Sequence, residues 1–134
     1  MKFDTTHVSL VVGSSLRGAA FAMGADARRA SAKAVETERA MRLLHANCLS
    51  CHNAEKRKGG LELTKHEAAL KGGDSGAVLV PGKPEQSLLL KALAADADPH
   101  MPPKKQLSTN QIDLVRRWIK AGASWDEKAQ PRPS

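Results

Sequence analysis

The chain has 134 residues, enough for one domain of about 100 residues and a leading segment. Two cysteines exclude a disulfide-rich scaffold, and no apolar run reaches the ~18 residues of a membrane-spanning helix. The formal net charge is +7, but there is no nucleic-acid-binding motif and no aromatic platform for bases, so we expect no nucleic-acid partner.

The first residues differ in composition from the rest of the chain. Lys2 precedes a short apolar run at 8–12, and Ala25-Asp26-Ala27 resembles the small-residue cleavage site of an export signal. The predicted divisions are, in chain order, a signal peptide at 1–27, a folded domain at 28–126 and a flexible tail at 127–134.

A helix is predicted from about Val35 to Asn47. Met41, Leu44, Cys48 and Cys51 recur at i, i+3, i+7 and i+10, which places them on one helical face. We therefore expect this helix to bring Cys48 to the interior at its C-terminal end.

A long glycine-rich connection follows, at 53–83. Such a loop is uncommon in a compact domain unless something organises it, although a short helix is predicted at 64–71. Pro84 then suits the first position of another helix, which should end before Asp98-Pro99. The apolar stripe of that helix is Leu88, Leu89, Ala92 and Leu93.

The last helix has the strongest local signals. Ser108 and Gln111 have the spacing of a capping box, and Gly122 suits the residue after a helix C-terminus. Two sets of residues should face inward: Ile112, Val115 and Ile119, and Leu114 with Trp118. Helices without a β-rich stretch predict an all-α fold.

Cys48-Leu49-Ser50-Cys51-His52 has the C-x-x-C-H pattern of c-type haem attachment. Two thiols on one turn can each add to a haem vinyl group, and the histidine that follows is then positioned as an axial iron ligand. We predict one covalent haem c, with His52 as the proximal ligand.

Two other sites use similar residues. A thioredoxin-like redox pair also has C-x-x-C but needs a βαβ context. A zinc site could combine Cys48, Cys51 and His52 with His66, although adjacent Cys51 and His52 are an awkward pair on one ion.

The second axial ligand has two candidates. Met101 lies in a non-helical segment, and the Pro102-Pro103 turn could hold its thioether against the distal haem face. His100 is the rival, but His/Met ligation is an established pattern in cytochromes c, so we favour Met101. Met41 lies on the helix that leads to Cys48 and is expected in the core.

An ordered set of motifs from about Glu36 to Trp125 resembles the planctomycete-type cytochrome c domain. The motifs are Cys48-x-x-Cys51-His52, Lys58-Gly59-Gly60-Leu61-Glu62-Leu63, Gly72-Gly73-Asp74-Ser75-Gly76, Val80-Pro81-Gly82-Lys83-Pro84, Ser87-Leu88-Leu89, Met101-Pro102-Pro103 and Arg117-Trp118-Ile119-x-x-Gly122-Ala123.

The resemblance implies a class I cytochrome c fold, with a few helices around one haem and packed terminal helices. Cys48 and Cys51 match the haem attachment positions, and His52 and Met101 match the axial ligands. Many class I cytochromes orient the proximal histidine with a proline carbonyl. Gly59-Gly60 stands here instead, so the sequence does not identify the orienting group.

We therefore predict an exported, periplasmic electron carrier that is not an enzyme and that docks redox partner proteins through its basic surface. One alternative is the haem subunit of a periplasmic dehydrogenase complex. Another is a ligand-binding or peroxidase-like haem protein, which would require an open sixth iron position.

Overall fold

The computed structural model describes the backbone of residues 2–129 and the side chains of residues 24–129. Across this backbone there are helices and turns without a strand, apart from one isolated bridge between Gly73 and Gly76. The prediction of an all-α chain is confirmed at this level. The helices are α1 (Lys2–Asn47), α2 (His66–Lys71), α3 (Leu88–Ala92) and α4 (Thr109–Lys120), with 3-10 turns at Lys58–Gly60, Pro84–Gln86 and Glu127–Ala129.

Two compact units divide the chain, Met1–Ala34 and Val35–Ser134. The first contains the early part of α1, where Arg29 and Asp26 form an exposed ion pair at 4.0 Å. Side chains 1–23 and residues 130–134 lie outside the described residues, so most of the predicted signal peptide and tail cannot be compared. Among the described residues, no helix is long and apolar enough to cross a membrane.

Helix α1 contains the predicted helix but begins much earlier, at Lys2. Alanine is frequent before Val35 and has the highest helix propensity of any residue, which favours continuation of the helix through this stretch. Met41 and Leu44 are buried as expected, and the helix ends at Asn47.

Helix α4 has the predicted ends. Ser108 Oγ accepts from the Gln111 N–H at 3.2 Å, and Gln111 Oε1 accepts from the Ser108 N–H at 2.9 Å, which completes the capping box. At the other end Gly122 has φ 109°, and the Ala123 N–H donates to the Trp118 carbonyl at 2.9 Å. The buried residues of this helix are Val115, Trp118 and Ile119.

The prediction of one continuous helix from Pro84 is wrong. Pro84–Gln86 form a 3-10 turn, and α3 starts only at Leu88 because Ser87 between them is extended. The buried Ser87 hydroxyl accepts from the Val80 N–H at 3.0 Å and donates to the Lys83 carbonyl at 3.0 Å. These bonds hold Ser87 out of a helical conformation.

Helix α2 lies within the predicted short helix, and its His66 side chain is half-buried. The His66 ring stacks on Trp125, with centroids 5.4 Å apart and planes 9° apart. Trp125 in turn contacts Trp118 in the core at 6.1 Å. The glycine-rich connection is thus fastened to the C-terminal part of the chain through aromatic packing.

Buried residues between Ala40 and Ala123 form one core cluster, with Met41, Trp118 and Ile119 among the most buried. At its edge Arg117 Nε donates to Glu36 Oε1 at 2.9 Å, an ion pair between α4 and α1. Because the Arg117 side chain is 60% exposed, the pair contributes at most about 1 kcal/mol, and apolar burial supplies most of the stability.

Candidate haem site

A cavity of about 510 Å³ lies in the second unit. All four residues predicted as site residues line it: Cys48, Cys51, His52 and Met101. The rival ligand His100 and the zinc alternative's His66 are not among its lining residues. The structure thus brings the C-x-x-C-H motif and the distant Met101 to one cavity.

The C-x-x-C-H motif forms turns directly after α1. The Cys48 N–H continues the helical pattern by donating to the Leu44 carbonyl at 2.8 Å. The N–H groups of Cys51 and His52 then both donate to the Cys48 carbonyl, at 3.3 and 3.0 Å. This folding brings Cys48, Cys51 and His52 together in the lining of the cavity.

Burial raises the pKa of the Cys48 thiol to about 11, with a further contribution from neighbouring Cys51. The thiol is therefore protonated at neutral pH, whereas disulfide exchange uses the thiolate. Among residues 24–129 no three His, Cys, Asp or Glu side chains form a cluster that could hold a metal ion. The protonated thiol argues against the redox pair, and the missing ligand cluster argues against the zinc site.

The His52 ring is oriented by the backbone carbonyl of Lys58. His52 Nδ1 lies 3.0 Å from that oxygen, and since a carbonyl only accepts, Nδ1 carries the proton and donates. Nε2 is then the ring nitrogen with a free lone pair, as a metal ligand requires. Sequence reasoning missed this group because it is a backbone atom, whose position depends on left-handed conformations at Arg57 and Gly59.

Two glycine-rich loops pack backbone to backbone beside the motif. The Asp74 N–H donates to the Gly59 carbonyl at 2.8 Å, and a Cβ atom on Gly73 would lie 2.5 Å from the same oxygen. Gly59 and Gly73 both line the cavity. A side chain at Gly73 would separate the two loops, so the glycine allows this part of the wall to close.

Met101 lies on a segment that α3 holds in place. Its N–H donates to the Ala92 carbonyl at 2.8 Å, and Pro102 and Pro103 line the cavity beside it. Met41 is fully buried in the core, which confirms that expectation. Of these two methionines, only Met101 lines the cavity.

The rest of the lining is largely apolar. The predicted stripe of α3 faces the cavity, while Leu90, which the stripe omitted, is buried in the core. The apolar lining residues outside the motif include Leu61, Leu63, Val78, Leu88, Leu89 and Leu93. The charged and polar ones are Asn47, Lys58, Ser75, Lys91 and Asp98.

The family comparison covers this same part of the chain. Residues 48–105 match the family model of planctomycete cytochrome C. The match confirms the resemblance for the motifs within 48–105, and the matched region contains both cysteines, His52 and Met101. No curated protein and no solved structure gives a match.

Proposed function

We propose that this chain is a monohaem c-type cytochrome that transfers electrons between proteins of the periplasm, with a class I fold and His/Met-ligated iron. The observation that carries the proposal is the meeting of Cys48, Cys51, His52 and Met101 at one cavity. The match of residues 48–105 to planctomycete cytochrome C supports the same conclusion.

The residues present fit a haem. The volume of about 510 Å³ lies in the range of cofactor sites, and the apolar wall suits a porphyrin. Haem c supplies an iron centre that alternates between Fe(III) and Fe(II). The protein sets how readily it does so, through the axial ligands, burial and hydrogen bonding.

Each residue of the site has a distinct role in this proposal. The Cys48 and Cys51 thiols would each add across a haem vinyl group and so form the two thioether bonds to the porphyrin. His52 binds the iron through Nε2, while the Lys58 carbonyl holds its Nδ1–H and raises the basicity of the ligand. Met101 supplies the second axial ligand and favours a high potential.

The side-chain contacts of His100 favour Met101 over it. His100 Nε2 lies 2.8 Å from Gln106 Oε1, and the Gln106 amide nitrogen is already committed to two carbonyls. The Gln106 oxygen therefore accepts, and His100 Nε2 carries a proton rather than a free lone pair.

We predict that the haem stays with the polypeptide after denaturation and acid–acetone extraction, because two thioether bonds hold it. Intact mass should exceed the polypeptide mass by one haem. The double variant Cys48→Ala/Cys51→Ala should release its haem completely under the same extraction. Free extraction from the wild-type protein would rule out covalent attachment.

Met101→Ala should abolish the near-infrared sulfur-to-iron charge-transfer band of the oxidised protein, because the thioether is lost. The same variant should have a lower potential and should bind carbon monoxide at the opened position. His100→Ala serves as the control and should keep the band. The reverse behaviour of the two variants would indicate bis-histidine ligation, and rapid binding of carbon monoxide by the wild type would favour a ligand-binding haem protein.

A basic surface at the cavity suits an acidic partner. The net charge is +7, and Lys58 and Lys91 both line the cavity. An electron must leave through the part of the haem nearest the surface, so cations there would align an acidic protein for transfer.

We therefore predict that electron transfer to an acidic redox protein slows about tenfold between low and ~0.5 M salt. The double variant Lys58→Gln/Lys91→Gln should slow electron transfer several-fold at low salt. The control Lys71→Gln/Lys128→Gln removes the same charge away from the cavity and should have less effect. The backbone carbonyl of Lys58 is retained in these variants. Rates independent of salt, or equal effects of the two pairs, would contradict docking at the cavity.

Export is the remaining part of the proposal, supported by Ala25-Asp26-Ala27 and by the extracytoplasmic attachment of c-type haem in bacteria. N-terminal sequencing of the mature protein should begin near Arg28, and the periplasmic fraction should contain the haem-loaded chain. Ala25→Leu/Ala27→Leu should leave the leader attached, because large residues block this kind of cleavage. A mature chain that starts at Met1 would refute the cleavage site without affecting the haem proposal.

A further inference from the structure

The segment that carries Met101 has few backbone hydrogen bonds of its own. Pro99, Pro102 and Pro103 have no N–H to donate. Between residues 98 and 106, all within the described chain, the backbone donors with a backbone acceptor are Met101, to Ala92, and Lys105, to Pro102 at 3.3 Å. A thioether on such a segment needs other contacts to keep it in place.

The side chain of Gln106 provides three of them. Its Oε1 accepts from His100 Nε2 at 2.8 Å. Its Nε2 donates to the carbonyls of Leu93 at 3.0 Å and Leu107 at 3.1 Å. One amide thus uses both of its donors and its acceptor within the protein.

The position of these bonds along the chain matters for Met101. The bond to His100 joins the two ends of the loop 100–106, inside which Met101 lies. The bond to Leu93 fastens that loop to the end of α3, one residue after the Ala92 carbonyl that accepts from Met101. Leu93 and Ala92 both line the cavity. The loop is therefore held to α3 at two adjacent points.

We propose that Gln106 is a positioning residue that holds the Met101 sulfur in the sixth iron position, an inference that rests on the proposed His/Met ligation. Gln106 does not itself line the cavity. It replaces the backbone hydrogen bonds that the prolines remove, and it keeps the loop closed when thermal motion would otherwise lift the sulfur away.

The test compares Gln106→Leu with Gln86→Leu in the haem-loaded protein. Gln86 is exposed like Gln106, and no side-chain hydrogen bond of Gln86 is found among the described residues. Gln86→Leu therefore controls for replacing an exposed glutamine by leucine. Carbon monoxide must wait for the sulfur to leave the iron. Loss of two to three net hydrogen bonds should raise its association rate at least about tenfold in Gln106→Leu and leave Gln86→Leu within about twofold of wild type.

Two further variants separate the bonds of Gln106. Gln106→Glu keeps the acceptor for His100 but has no donor for the Leu93 and Leu107 carbonyls, so it should resemble Gln106→Leu. His100→Ala keeps both amide donors and should change the rate by less than about threefold. The near-infrared band should weaken in Gln106→Leu and Gln106→Glu and should keep its wild-type intensity in His100→Ala and Gln86→Leu.

The outcomes distinguish this proposal from the one it rests on. A wild-type band together with equal carbon monoxide rates in Gln106→Leu, Gln106→Glu and Gln86→Leu would overturn the role of Gln106 and leave Met101 ligation intact. A wild-type protein without the band would overturn His/Met ligation, and the role of Gln106 with it. If the Gln106 variants unfold at a rate different from wild type but bind carbon monoxide at the wild-type rate, Gln106 has only a structural role and the proposal is refuted.

Discussion

The hydrogen bond from His52 Nδ1 to the Lys58 carbonyl determines much of the site around it. It selects the ring tautomer, so that Nε2 has a free lone pair. It also closes the chain on itself, together with the Lys58 N–H to the Cys51 carbonyl at 3.1 Å and the Leu63 N–H to the His52 carbonyl at 2.8 Å. The orientation of the His52 ring and the structure of the loop therefore depend on the same few backbone groups.

This arrangement explains why a glycine-rich connection is useful here. A carbonyl can be aimed at His52 only if the chain turns sharply on both sides of Lys58, and Arg57 and Gly59 take left-handed conformations to do so. The second loop then approaches so closely that Gly73 has no room for a side chain. The long glycine-rich connection at 53–83 was expected to need contacts that hold it in place. These backbone contacts provide part of that support, and the stack of His66 on Trp125 provides another part.

The features predicted best from the sequence are those that depend on residues close together in the chain. The bounds of α4 follow from Ser108, Gln111 and Gly122, which act within a few residues of the helix ends. The break before α3 was not predictable in this way, because Ser87 is held by the Val80 N–H, which comes from another turn of the chain. The aim of the Lys58 carbonyl at His52 and the stacking of His66 on Trp125 were not predictable either, since both depend on contacts that form only when the chain folds. The C-x-x-C-H motif and Met101 could be selected in advance because their residue types indicate their chemistry, and the cavity that joins them comes from the fold.

The backbone near His52 and the backbone near Met101 are held in place by different kinds of contact. Beside His52, glycines permit backbone groups to bond directly to one another, so the wall is held by N–H to carbonyl bonds such as that from Asp74 to Gly59. Beside Met101, prolines restrict φ but remove donors, so the chain is stiff and yet poorly fastened. Side-chain amides can supply the missing donors, and Gln106 does so for the carbonyls of Leu93 and Leu107.

Substitutions on the glycine side should therefore disturb the fold itself. On the proline side a single side chain can be removed while the backbone contact from Met101 to Ala92 remains, so the hold on the sulfur can be altered separately from the fold.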